Sequence, residues 1–201
     1  MAMMHSDGLI ARAREGNSVA QNKIIQLWYK RIYNFSYKFF FDHDLAMEVT
    51  QRTFISMHKN FQQLQDVGRF KSWLYTIAVN YCREELRKKR KDRLSPLSEL
   101  TTGTEESHGW EKSERREENP EHQMQQAELS DLLQQCLLEL SPEQREVVIM
   151  KEYEGLKFRE IAEALNVSEN TVKSRMYYGL NGLKKIFDKR NITKENIGYE
   201  I

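Results

Sequence analysis

Apolar and aromatic residues recur every three or four positions through much of the first 95 residues, as they do on the buried face of a helix. The clearest stripe consists of Ile25, Trp28, Ile32, Phe35 and Phe39. A second helix is predicted after Asp42 or Asp44, either of which can cap it, and Gly68 separates it from a third helix that begins near Arg69. These patterns predict one helical bundle over residues 1–95.

The helical periodicity stops in residues 96–126, which are rich in Glu, Ser, Thr and Arg. Such a composition buries too little apolar surface to offset the entropy lost when a backbone becomes ordered. We therefore predict an acidic flexible linker here. Whether this linker is only a tether or has an active role stays open at this point.

Apolar periodicity returns in residues 127–190. The stripe there consists of Leu129, Leu132, Leu133, Cys136, Leu137 and Leu140. Ser141 followed by Pro142 is typical of a helix start, and two more helices are predicted at about 158–165 and 169–187. Because no segment has the alternation of a strand, the predicted fold is all-α, with two helical domains joined by the flexible linker and a tail over residues 191–201.

The last two predicted helices have the spacing of a helix-turn-helix. Ala162 supplies a small residue where the helices cross, Asn166 tolerates the left-handed turn, and Val172 is a buried aliphatic beyond it. The polar or charged side chains that could meet bases and phosphates are Ser168, Glu169, Asn170, Lys173, Ser174, Arg175 and Tyr177. A packing motif inside a helical bundle is the alternative interpretation.

The third helix of the first domain has a polar, basic face opposite its core face. That face carries Thr76, Asn80, Arg83 and Arg87, and the helix ends in the basic run RKKRK. Basic side chains beside aromatic ones suit a nucleic-acid strand whose bases are unstacked. A solvated helix end is the alternative, and for Trp73 itself a place in the core is favoured.

The charge of the chain is unevenly distributed. The formal net charge of +1 divides into +8 over residues 1–98, −6 over 99–128 and −1 over 129–201. Positive charge is thus concentrated where a phosphate backbone could meet it.

Other chemistry is poorly represented in the sequence. Cys82 and Cys136 lack CxxC spacing and the five histidines lack HExxH spacing, so we expect buried thiols, no metal site and no cofactor. No apolar run approaches the roughly 18 residues that cross a bilayer, and the N-terminus turns polar too early for a secretory signal. We expect a cytoplasmic protein that is not an enzyme and takes no small-molecule substrate.

Three segments carry a resemblance to a known family: HDLAMEVTQRTF, RFKSWLYTIAVNYCREELRKKR and LSPEQREVVIMKEYEGLKFREIAEALNVSENTVKSR. In this order, and with a charged linker between the second and third, they resemble the extracytoplasmic-function (ECF) group of bacterial sigma-70-family sigma factors. The similarity spans roughly residues 7–95 and 127–187. It implies a sigma region 2 domain over residues 1–95 and a region 4 domain over residues 127–190, joined by a linker in place of region 3.

The resemblance also implies a function: binding core RNA polymerase, directing it to promoters and opening the −10 DNA. The third helix would recognise the −10 element through Arg69, Phe70, Lys71, Trp73, Thr76, Asn80, Arg83 and Arg87. The helix-turn-helix would recognise the −35 element through the seven residues given above. The acidic linker would thread the polymerase cleft.

The resemblance further implies two contacts with the polymerase. One is with the clamp helices of the largest subunit, through Leu45, Glu48, Gln51, Arg52 and Phe54, and the other is with the flap of the second-largest subunit. Promoter DNA and core polymerase are thus the expected partners, and an anti-sigma factor is left open as a third. The sequence departs from the family pattern in two places. Arg52 replaces a usually acidic residue, and Tyr178 and Leu180 replace residues that would be expected to contact phosphates.

Three other classes of protein are alternatives. A homodimeric response activator would need a phosphoacceptor or ligand domain with strands, which residues 1–95 do not predict. A recombinase or nuclease would need clustered carboxylates on ordered elements. A protein that binds polymerase or an anti-sigma factor without reading DNA can be distinguished from a sigma factor only by a DNA-binding measurement.

Overall fold

The computed structural model describes residues 2–93 and 120–192, with side chains for residues 7–91 and 129–192. Within these residues the fold is all-α, which confirms the predicted class. Most of the predicted linker, and the tail beyond residue 192, lie outside the described residues.

The first domain contains four helices. They are α1 (Ala2–Arg14), α2 (Ser18–Phe40), α3 (His43–Asn60) and α4 (Phe70–Arg93). Asn17 caps α2 and Asp42 caps α3, each side chain accepting a hydrogen bond from a backbone N–H three residues later. Two 3₁₀ turns, Phe61–Gln63 and Val67–Arg69, form the loop between α3 and α4.

Aromatic side chains fill the core of this domain. The fully buried ones are Phe35, Phe39, Phe61, Phe70 and Tyr75. Trp28 packs edge-on against Phe70, with ring centroids 5.5 Å apart. The stripe predicted on α2 is therefore the core face of that helix, as its spacing indicated.

The second domain contains α5 (Pro120–Glu139), α6 (Pro142–Val148), α7 (Phe158–Leu165) and α8 (Glu169–Lys189). A π-helical turn, Ile149–Tyr153, continues α6. Ser141 caps α6 by accepting a hydrogen bond from the N–H of Gln144 at 3.3 Å, as predicted. Helix α5 begins before residue 127, because Pro120 fits the first turn of a helix, so residues 120–126 of the predicted linker are helical.

Helix α8 crosses α6 very closely. A Cβ atom on Gly179 would lie 2.9 Å from Val148 Cγ2, and one on Gly182 would lie 2.8 Å from Leu140 Cδ2. At such distances, any residue larger than glycine would force the neighbouring side chain to shift. The two glycines of MYYGLNG therefore serve helix packing.

The two domains pack against each other. Helix α4 lies against α7, and α2 lies against α5, so the buried residues of both domains form one continuous core. Arg145 of α6 reaches across and donates a hydrogen bond to the carbonyl of Phe39 at 2.7 Å. This arrangement brings the basic face of α4 next to the helix-turn-helix.

Candidate nucleic-acid interface

The turn between α7 and α8 has helix-turn-helix geometry. Asn166 adopts the left-handed conformation (φ 53°, ψ 49°), which asparagine tolerates better than most residues. Ser168 Oγ accepts a hydrogen bond from the N–H of Thr171 at 3.0 Å and so caps α8. Ala162 and Val172 are buried at the crossing, as predicted.

Six of the seven DNA-binding residues predicted in the helix-turn-helix are exposed to solvent. The exposed ones are Ser168, Glu169, Asn170, Lys173, Ser174 and Tyr177. Arg175 is half-buried and donates a hydrogen bond to Glu146 Oε1 at 3.2 Å. Tyr178 and Leu180 are also exposed, at 61% and 48% of their surface, so aromatic and aliphatic groups extend this face.

The predicted −10 residues are divided between the surface and the core. Arg69, Asn80 and Arg87 are exposed, and Lys71, Thr76 and Arg83 are partly buried. Phe70 is 1% exposed, and Trp73 is half-buried with its ring 5.8 Å from that of Phe61. In this conformation both aromatic rings contribute to the core, which is the place favoured for Trp73 from the sequence.

A buried carboxylate joins the two predicted DNA-binding surfaces. Glu146 is 1% exposed and accepts two hydrogen bonds from Arg83 of α4, from Nη2 at 2.7 Å and from Nε at 3.1 Å. It also accepts the bond from Arg175 of α8. Burial raises the pKa of Glu146 even though both arginines favour its charged form. One side chain of α6 thus pairs with a cation from each predicted DNA surface.

A second carboxylate lies at the start of α4. Glu163 of α7 accepts hydrogen bonds from Arg69 Nη2 at 2.8 Å and from Ser72 Oγ at 3.1 Å. The hydrogen bond from Arg69 lowers the pKa of Glu163. Glu146, Glu163 and Ser72 were not among the residues predicted from the sequence. A usable signal for Glu146 was its place in REVVIM, where a charged pair precedes four apolar residues.

The predicted polymerase-binding residues lie on α3. Glu48 and Gln51 are exposed, Leu45 is half-buried, and Phe54 is buried with its ring stacked 6.0 Å from that of Tyr29. Arg52 lies over the ring of Tyr81, 4.3 Å from its centroid.

The unusual residue at position 52 has a structural role. Arg52 donates hydrogen bonds to Glu84 Oε1 at 2.7 Å and to Glu85 Oε1 at 2.5 Å. These bonds join α3 to α4. Two glutamates of the same domain therefore pair with this arginine.

The described residues contain no group of three or more His, Cys, Asp or Glu that could hold a metal ion. Cys82 and Cys136 are buried free thiols, and burial raises the pKa of both. None of the helices in the described part of the chain is long and apolar enough to cross a membrane.

The fold is that of a helical, two-domain protein with a helix-turn-helix in its second domain. Two family models match the chain: Sigma-70 region 2 over residues 24–92 and Sigma-70, region 4 over residues 130–181. The ECF RNA polymerase sigma factor SigW of Bacillus subtilis (strain 168) is 30% identical over 176 residues, which cover 88% of this chain and 93% of that protein. The chain therefore belongs to the ECF group of the sigma-70 family and is an RNA polymerase sigma factor.

Further similarities agree with this assignment. The ECF RNA polymerase sigma factor SigE of Mycolicibacterium smegmatis (strain ATCC 700084 / mc(2)155) is 29% identical over 80% of this chain and 59% of that protein. Among solved structures, CnrH in complex with the cytosolic domain of CnrY has a TM-score of 0.66 at 21% identity, covering 92% of this chain and 97% of that one. The structural match shows a shared fold. Membership in this family is consistent with a protein that is not an enzyme.

Proposed function

We propose that this sigma factor recognises a promoter through two surfaces, the basic face of α4 for the −10 element and the outer face of α8 for the −35 element. Core RNA polymerase in the cytoplasm holds the two surfaces apart and does the chemistry. The observation that carries this proposal is the placement of predicted base-reading and phosphate-binding side chains on two separate domains of a sigma-70-family chain.

Recognition of the −35 element rests on side chains at the start of α8. Ser168 and Asn170 carry donors and acceptors suited to base edges, and Lys173 carries a cation suited to phosphates or guanine. Because a recognition helix enters the major groove with its N-terminal residues, this end of α8 is the expected base-reading end. Tyr177 extends the contact along the same face.

Recognition and opening of the −10 element rest on α4. Asn80 and Arg87 are exposed on its polar face and can contact a displaced strand. Contacts of this kind offset the cost of unpairing, on the order of 1 to 2 kcal/mol per base step. A base flipped out of the stack and held by the protein contributes to the opening.

Polymerase binding is assigned to the exposed face of α3. Glu48, Gln51 and Ile55 are exposed on α3 at helical spacing, and Ile55 is 54% exposed. An apolar side chain among polar ones on an exposed helix suits a protein partner. We assign this face to the clamp helices of the largest subunit, and region 4 to the flap of the second-largest.

An anti-sigma factor is a third proposed partner. The solved structures with a similar fold include the sigma factor RpoE in complex with the anti-sigma factor NepR from Bartonella quintana, with a TM-score of 0.62. The packed arrangement of α4 against α7 gives such a partner one compact surface to hold. Co-purification of the intact protein from its own cells, with identification of the bound chains, tests this proposal.

Run-off transcription with purified core polymerase tests the main proposal. Transcripts no more promoter-selective than those of core polymerase alone would count against it. The informative variant is Asn80→Ala, which should reduce permanganate reactivity at the −10 element more than it reduces closed-complex binding in a gel shift. The control is Asn22→Ala, an exposed helical asparagine of α2. Equal losses of opening and binding in Asn80→Ala would contradict the assignment of this residue.

A further inference from the structure

The loop between α3 and α4 is anchored at three of its residues. Phe61 and Leu64 bury their side chains in the core, at 1% and 4% exposure. Asp66 Oδ1 accepts a hydrogen bond from the N–H of Gly68 at 2.9 Å and so caps the 3₁₀ turn that leads into α4. Gln65 lies between these anchors and its side chain is exposed. The chain is thus fixed on both sides of Gln65, directly before the proposed −10 surface.

Arg14, the last residue of α1, makes a further contact with this loop. Its Nη1 donates to the carbonyl of Gln65 at 3.2 Å and to the carbonyl of Leu64 at 3.4 Å. These carbonyls belong to the two planar peptide groups that flank the Cα of Gln65. Because the orientation of those two planes sets the backbone dihedrals of Gln65, the guanidinium also sets the direction in which the Gln65 side chain leaves the loop.

The end of α1 that carries Arg14 is itself held in place. Ala13 is fully buried, and its carbonyl accepts a hydrogen bond from Nε2 of the buried Gln21 at 2.8 Å. This bond ties the last turn of α1 to α2 and satisfies a carbonyl at a helix end. Helix α1 also lies against both 3₁₀ turns of the loop. Arg14 therefore acts on the loop from a fixed helix end.

We propose that Arg14 is a positioning residue for −10 recognition, which fixes the backbone of the α3–α4 loop so that Gln65 meets an unpaired base in a defined orientation. This inference rests on the proposed function of α4. An amide side chain both donates and accepts hydrogen bonds, so it discriminates between bases only when its approach to the base edge is fixed. The Sigma-70 region 2 model matches residues 24–92, and Arg14 lies outside that segment.

The test uses holoenzyme assembled from core polymerase and full-length variants. Its template is a promoter that the wild type uses, made as a pool with the −10 element randomised and a barcode in the transcribed region. Sequencing the barcodes of the transcripts gives the preference between bases at each position. The variants are Arg14→Ala, Arg14→Lys and Gln65→Ala. The matched control is Arg12→Ala, which removes the same charge from an exposed position of the same helix.

Gln65→Ala should lower the preference at one position of the −10 element by about 5-fold, the lower end of what a base contact contributes. Arg14→Ala should lower the preference at that same position by about 3-fold, with the other positions unchanged, because the amide is kept but its direction is not fixed. Arg14→Lys, whose single ammonium can still reach a carbonyl, should lie between Arg14→Ala and the wild type. Arg12→Ala should change no position.

A double-variant comparison distinguishes positioning from general stabilisation. Arg14→Ala combined with Gln65→Ala should lower the preference no further than Gln65→Ala alone, because both changes act on one base contact. Arg14→Ala combined with Asn80→Ala should show the sum of the two separate effects, since Asn80 is a separate site on α4. A residue that only stabilises the fold would lower the yield of all templates alike.

Three results would overturn the proposal. They are a uniform loss of transcripts in Arg14→Ala with unchanged base preferences, an additive loss when Arg14→Ala is combined with Gln65→Ala, and no effect of Gln65→Ala at any position. Urea unfolding checks that Arg14→Ala is as stable as Arg12→Ala, and if it is not, Arg14→Lys takes its place in the same comparison. A wild type without any base preference in the pool would refute the proposed function itself, whereas a preference that Arg14→Ala leaves intact refutes this inference alone.

Discussion

Replacing Arg145 should destabilise the protein more than any surface substitution, because its guanidinium lies between the ends of two helices. The side chain is 7% exposed, and within the described part of the chain its hydrogen bonds all go to backbone carbonyls. Nε donates to the carbonyl of Leu137 at 2.9 Å, Nη1 to Phe39 at 2.7 Å, and Nη2 to Leu138 at 2.7 Å and Leu140 at 3.1 Å. The cation thus satisfies carbonyls at the C-terminal ends of α5 and α2, where helix dipoles are negative.

The magnitude follows from these four hydrogen bonds. At a net ~1 kcal/mol each, their loss in Arg145→Ala amounts to about 4 kcal/mol, since three of the four carbonyls stay buried without this donor and the fourth, that of Leu138, is partly buried. Burial lowers the pKa of Arg145, but an arginine keeps its proton at any pH used for folding measurements. Arg145→Lys keeps the charge but has three donors at one point, so we expect a loss of about 2 kcal/mol.

Urea unfolding followed by circular dichroism at 222 nm gives the free energy of unfolding for each variant. The control is Arg12→Ala, an exposed arginine of α1, for which we expect a change within about 0.5 kcal/mol. A loss in Arg145→Ala no larger than that of the control would refute the reasoning. A loss in Arg145→Lys equal to that of Arg145→Ala would show that the fork geometry, and not the charge, carries the whole effect.

Two further predictions concern the second domain. Gly179→Ala should lower the free energy of unfolding by about 1 kcal/mol, because the clash of its Cβ with Val148 outweighs the gain in helix propensity. Gly8→Ala in α1, where a Cβ meets nothing within 4 Å, is the control and should be neutral or slightly stabilising; the same urea titration compares the two. Ser168→Ala should cost about 1 kcal/mol through loss of the α8 cap, and an unchanged unfolding midpoint would argue against that cap.

The helices and the helix-turn-helix could be predicted from the sequence because their signals are local. A stripe such as that on α2 needs only residues three or four apart, and the caps Asp42 and Ser141 lie directly before their helices. Asn166 was recognisable because few residues tolerate the left-handed turn. The early start of α5 was missed because residues 120–126 are polar and show no stripe.

The contacts between the domains could not be predicted in the same way. Glu146 and Arg83 are 63 residues apart, and a glutamate beside apolar residues can pair with many cations or with none. Arg52 illustrates the same limit. Its departure from the family pattern was visible in the sequence, but its pairing with Glu84 and Glu85 depends on how α3 packs against α4. The roles of the individual DNA-contacting residues stay predictions.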